Sequence, residues 1–202
     1  MSTRNLPFPR GKTGSFDAYI AGPNGLLSVL PTATGLVGEA TAYRPDLAGR
    51  TFDIEDDVIY PNQTIKLRAV QAQANITVAR KCVTFSTTAE QFGAVTTSPA
   101  IPSGGTAGLI AKPIDPAYAV GTVIKKYDWF YVVEEGWAEL LVGTTTTAQG
   151  SVMCDGDGAA APATAGAAVV GTSESAVTAD GTETGYVYVK GGLATSVAAT
   201  AA

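Results

Sequence analysis

Residues 121–190 never settle into a helical period. Strand-length runs follow one another instead: GTVIKKY (121–127), DWFYVV (128–133), WAELLV (137–142), SVMC (151–154), AAVVGTS (167–173) and GYVYVK (185–190). Turn chemistry separates most of them, as EEG, GTTTT, DGDG and ADGTETG. Short β-branched and aromatic runs punctuated this closely belong to small antiparallel barrels or sandwiches. DWFYVVEEGWAELLV reads as a hairpin with an acidic tight turn at its centre. In GYVYVK the alternation puts Tyr186, Tyr188 and Lys190 on one face and Val187 and Val189 on the other. The Ala-rich stretch 159–168 is broken by Pro162 and Gly166 and reads as loop.

Upstream, TIKLRAV (64–70) alternates as a half-buried strand does, and ITVARKCVTF (76–85) does so less cleanly. In FDIEDDVIY (52–60) the inward candidates are Ile54, Val58 and Tyr60. Residues 1–25 have no period. Pro7 and Pro9 hold the backbone around Phe8 extended, and Phe8, Phe16 and Tyr19 are too large to bury within the segment. Residues 96–117 hold four prolines and a Gly104-Gly105 pair, the chemistry of a linker or long loop. The expected protein is all-β, with an extended N-terminal arm at 1–25 and a β region at 26–95. A linker at 96–117 then leads to a small antiparallel barrel or sandwich at 118–202.

The composition removes most catalytic chemistry. There is no histidine among 202 residues, so the commonest general base and metal ligand are missing. GKT at 11–13 resembles the end of a phosphate loop, but Leu6 stands where that motif needs Gly. DGDG at 155–158 reads as a turn rather than a calcium loop. The four acids of DIEDD (53–57) point in several directions and read as a solvated or partner-facing edge. Trp129 and Trp137 suit a sugar platform, but core or subunit contact is the expected role. No enzyme activity, cofactor, metal or small-molecule substrate is expected.

Charge is uneven. Residues 1–127 carry 12 Lys/Arg against 9 Asp/Glu, and residues 128–202 carry one against 9, for a net of −5. The front is basic and the back acidic, which suits two partners, head-to-tail contact between copies, or a solubilising acidic half. Basic residues are not interleaved with aromatics, so nucleic-acid binding is not expected. No apolar run is long enough to span a membrane. The N-terminal residues lack the apolar stretch of a secretory signal, so synthesis in a cytoplasm is expected. In that compartment Cys82 and Cys154 are expected as two separate thiols, with a bridge left open.

The order of pieces in the back half resembles the capsid cement, or head-decoration, proteins of tailed viruses. Those pieces are Glu135-Gly136-Trp137, Gly150-Ser151-Val152, Asp157-Gly158, Val170-Gly171 and Val187-Tyr188-Val189. The resemblance covers about residues 118–193, and residues 1–117 have no counterpart. It implies a homotrimer bound to the outside of an icosahedral shell, bracing contacts between major capsid protein subunits. The arm residues Arg4, Phe8, Arg10, Phe16 and Tyr19 would then grip the shell. Trp129, Trp137 and Tyr186 would serve self-association or the barrel core. The competing expectation is a virion fibre base or a carbohydrate-binding β module.

Overall fold

The segment read as a hairpin is one strand. In the computed structural model, β8 (Trp129–Leu141) runs 13 residues without reversing. Gly136 sits at its middle with φ +119°, a conformation that costs other residues strain. It bends the strand and does not turn it. Just before it, Lys66 faces Glu135 but Leu67 faces Val133, so Glu134 is an extra residue on β8. Such a bulge kinks one strand and increases its twist. The acidic tripeptide therefore marks a switch between two sheets. The residues described are 50–72, 75–83, 93–94, 111–124, 129–164 and 169–190, all strand, turn or loop. The expected arm and its residues Arg4, Phe8, Arg10, Phe16 and Tyr19 lie outside them.

The first half of β8 pairs antiparallel with β2 (Thr64–Ala72), whose other edge carries β1 (Thr51–Glu55). Ile54 faces Ile65 across this pair, and both are buried. The strand ends at Glu55 because Asp56 turns inward. Its buried carboxylate accepts the backbone N–H groups of Val58, Ile59 and Tyr60. Val58, expected inward, is 45% exposed as a result. At the far end of β2, β5 (Gly93–Ala94) adds a parallel pair.

The second half of β8 pairs with β12 (Thr184–Val189), which passes the ladder to β11 (Gly171–Ser173), β9 (Ser151–Cys154) and β10 (Ala160–Pro162). All four pairings are antiparallel. The ladder then returns to its start. Val142 bridges Ala160, and the Gly143 N–H donates to the Ala160 carbonyl at 2.9 Å. This bridge brings β10, the last strand of the ladder, back beside the end of β8. The DGDG turn joins β9 to β10, and the Asp155 carboxylate accepts the N–H groups of Asp157 and Ala159.

Two short pairs pack beside these sheets: β3 (Ile76–Thr77) with β7 (Val123–Ile124), and β4 (Cys82–Val83) with β6 (Lys112–Pro113). One buried cluster runs through both halves, from Ile54 and Leu67 through Tyr118 and Phe130 to Val152 and Val187. Residues 111–117, the end of the expected linker, are almost wholly buried within it. Cys82 and Cys154 are not separate thiols. They form a disulfide with their Cα atoms 6.8 Å apart, and both residues are buried. The Cys82 N–H donates to the Gly158 carbonyl at 2.9 Å, which lays β4 beside the β9–β10 turn and brings the sulfurs together.

Charge is buried where the sheets meet. The Glu134 carboxylate accepts from Arg68 Nε at 2.9 Å and lies 3.4 Å from Lys112 Nζ. Lys112 is 5% exposed and also donates to the Glu134 carbonyl at 3.3 Å. Burial pulls its amine below the ordinary lysine pKa, and Glu134 opposes that shift.

Candidate functional site: an aromatic face

Alternation on β8 and β12 decides which side chains leave the core. Ala138, Leu140, Val187 and Val189 point in and are buried, whereas Trp137, Glu139, Tyr186 and Tyr188 point out. Register then sets the outward residues side by side: Tyr188 opposite Trp137, and Tyr186 opposite Glu139. The Trp137 and Tyr188 rings meet edge to face with centroids 5.3 Å apart. Pairs of this geometry add about 0.5–1.5 kcal/mol beyond the area they bury.

A third segment completes the face. Tyr60, expected inward, lies instead against the outward surface of the barrel. Asp56 winds the loop so that the Tyr60 ring centroid is 5.0 Å from Trp137 and 6.1 Å from Tyr186. The same loop supplies Gln63, whose Oε1 accepts the Trp137 Nε1–H at 3.0 Å. The Tyr60 hydroxyl donates to the Glu174 carboxylate. That bond is the largest cause pushing the Tyr60 phenol up to about 12, with burial and the Glu174 charge acting in the same direction.

The Glu139 charge beside the rings is already paired. Glu139 is 3.0 Å from Arg80 Nε and accepts the Thr184 hydroxyl at 2.7 Å. Arg80 in turn donates to the carbonyls of Pro116 and Tyr118, which braces it beside the strand. The face continues sideways through Thr172, opposite Tyr188, to Ser151, opposite Thr172. Tyr186 is the most open of the four rings, at 42% exposure.

Of the residues singled out in the sequence, the structure brings Trp137 and Tyr186 together on this face and keeps both out of the buried core. Trp129 opens β8 opposite Gln71, at the end of the strand remote from Trp137. Sequence reasoning missed Gln63 and Glu174 and misdirected Tyr60. The alternation that exposes Trp137 and Tyr186 is local, but the approach of a loop more than seventy residues upstream leaves no periodic trace. The acids at 53–57, expected as a solvated or partner-facing edge, divide: Asp53 is exposed and lies 3.8 Å from Lys66, whereas Asp56 is buried and caps a loop.

No protein-family model and no curated relative matches the chain. Among solved structures, the head fiber gp8.5 N base of bacteriophage phi29 aligns with 13% sequence identity and a TM-score of 0.40. The alignment covers 62% of this chain and 94% of that one. A likeness at that level carries no conclusion about function.

Proposed function

We propose that this chain is a structural protein of a tailed-virus particle. It decorates the outside of an icosahedral capsid and holds neighbouring major capsid protein subunits together. The observation that carries the reading is the closed ladder of β8, β12, β11, β9 and β10. The sequence pieces that resemble cement proteins all fall on its strands and turns: Gly136-Trp137 within β8, Ser151-Val152 opening β9, Asp157-Gly158 in the turn after β9, Gly171 opening β11, and Val187-Tyr188-Val189 in β12.

The mechanism is adhesion by a stiff body. A strand shared by two sheets and a buried disulfide between β4 and β9 tie the parts of that body together. The N-terminal segment supplies the grip. Ordering its backbone costs ~1–2 kcal/mol per residue, and each fully buried Phe offsets ~1.5–3 kcal/mol. Many such copies on one shell add their weak contacts through multivalency.

The test is the particle itself. Density-purified virions from the genome that encodes the chain should contain it in many copies, and immunogold labelling should cover the head. Removal of residues 1–20 should abolish binding to heads while the β structure stays folded. A chain absent from purified particles, or unchanged head binding after the deletion, sinks this reading. Label at a few isolated points on the head would instead favour a fibre base.

A further inference from the structure

We propose that the outward aromatic face of Tyr60, Trp137, Tyr186 and Tyr188 is a binding site for a neutral oligosaccharide. The rings offer what a sugar needs first. Aromatic side chains present a large apolar body with a polar tip, and these four cluster on one outward surface, Tyr186 exposed and the other three half-buried. Two of them are fixed before any ligand arrives. The Trp137 indole is tied to Gln63, and the Tyr60 hydroxyl to Glu174. A site ordered in advance loses little side-chain entropy on binding.

The rim selects among ligand classes. Glu139 is neutralised by Arg80, and Glu174 is engaged by Tyr60. Glu139 is thus already charge-paired, while Glu174 keeps its negative charge beside the Tyr60 hydroxyl. An anionic glycan, phosphate or nucleic acid meets one cation on β12's outward row, Lys190, just beyond the strand end. What these groups offer a ligand is hydrogen-bonding capacity, with the Glu139 charge matched by Arg80. The remaining lone pairs of Glu139 and Glu174, the Gln63 amide N–H groups and the hydroxyls of Thr172 and Ser151 suit a ligand dense in hydroxyls. The cross-strand row Trp137, Tyr188, Thr172, Ser151 spans four adjacent strands, roughly 14 Å at the ordinary strand spacing. That is an extended track, suited to an oligosaccharide more than to a single sugar.

The site is a property of the folded chain and stands apart from where the chain resides. The experiment uses the full chain. Hexasaccharides of glucose, of mannose and of N-acetylglucosamine are titrated by calorimetry and tryptophan fluorescence, with sialyllactose and heparin hexasaccharide as anionic comparisons. At least one neutral hexasaccharide should bind, and Tyr186→Ala should weaken it about tenfold or more. Tyr186 is exposed, so this variant keeps the fold, and Trp137→Phe provides a second, milder change. The proposal is overturned if no neutral probe binds at millimolar concentration, if only the anionic probes bind, or if Tyr186→Ala leaves affinity unchanged. It is also overturned if native mass spectrometry shows the face occupied by a second copy, with Tyr186→Ala giving monomers and no sugar bound. Particle incorporation is scored separately, so a chain that binds sugar but is missing from virions defeats only the capsid reading.

Discussion

Gly136 lies against the backbone of Ile65. A Cβ built on it would stand 3.0 Å from Ile65 Cγ1 and 3.1 Å from Ile65 Cα. Its φ of +119° is also one that side chains with a Cβ rarely take. Two independent penalties therefore fall on any substitution. Gly136→Ala should destabilise the fold by about 2–4 kcal/mol, the sum of backbone strain and overpacking. Urea unfolding measures this directly. A loss under half a kilocalorie would mean that β8 relaxes freely at the point where it changes sheets.

The disulfide ties two distant parts of the chain. Cys82 and Cys154 are 72 residues apart in sequence, and the chain-entropy model gives about 4 kcal/mol for a loop of that length. The pair Cys82→Ser with Cys154→Ser, or reduction of the native protein, should lower unfolding stability by about 2–4 kcal/mol. Urea melts with and without reductant check it. Because both residues are buried, reduction should be slow until denaturant opens the core.

The all-β class was legible because it rests on local periodicity. Val187 and Val189 against Tyr186 and Tyr188, and Ile65 and Leu67 against Lys66 and Arg68, sort to the faces their alternation implies. What failed was punctuation. Glu-Gly is good turn chemistry, but Gly136 is required by the close approach of Ile65 and not by a reversal, and that approach is long-range. Cys82 and Cys154 were misread for a related reason. A compartment argument weighs where a chain is made, whereas pairing depends on β4 docking against the β9–β10 turn. Tyr60 shows the same limit: alternation stops at Asp56, whose carboxylate caps a loop that carries Val58 and Tyr60 out of the strand.

Glu134 holds buried Lys112 and half-buried Arg68, and removing its charge should be severe. Glu134→Gln leaves Arg68 and Lys112 together without a counter-charge at a site where Lys112 is 5% exposed. Breaking a buried ionic group from one side costs about 3–5 kcal/mol. Lys112→Met removes the strongly desolvated member and keeps the Arg68–Glu134 bond, so its cost should be far smaller. The pH dependence has a definite sign. Lys112 has a lowered pKa in the fold, so the unfolded chain binds more protons between the folded and the ordinary lysine value. Its contribution to stability therefore rises with pH across that window. Lys112→Met should flatten this rise when urea midpoints are compared along an alkaline series.

Tyr60 and Glu174 give the last prediction a spectroscopic form. The phenol of Tyr60 is pushed up to about 12, chiefly because its hydroxyl donates to Glu174. A tyrosine raised in this way favours the fold below its ordinary pKa, and that contribution disappears as pH climbs through the folded value. In a titration of phenolate absorbance, one tyrosine should ionise near that high value. Tyr60→Phe should remove this late step, and Glu174→Gln should move it down toward the ordinary range. Neither change should cost much stability, because the pair is exposed. If Tyr60→Phe leaves the late step in place, the hydroxyl is not held by Glu174, and the anchoring of the aromatic face must rest on the Trp137–Gln63 bond alone.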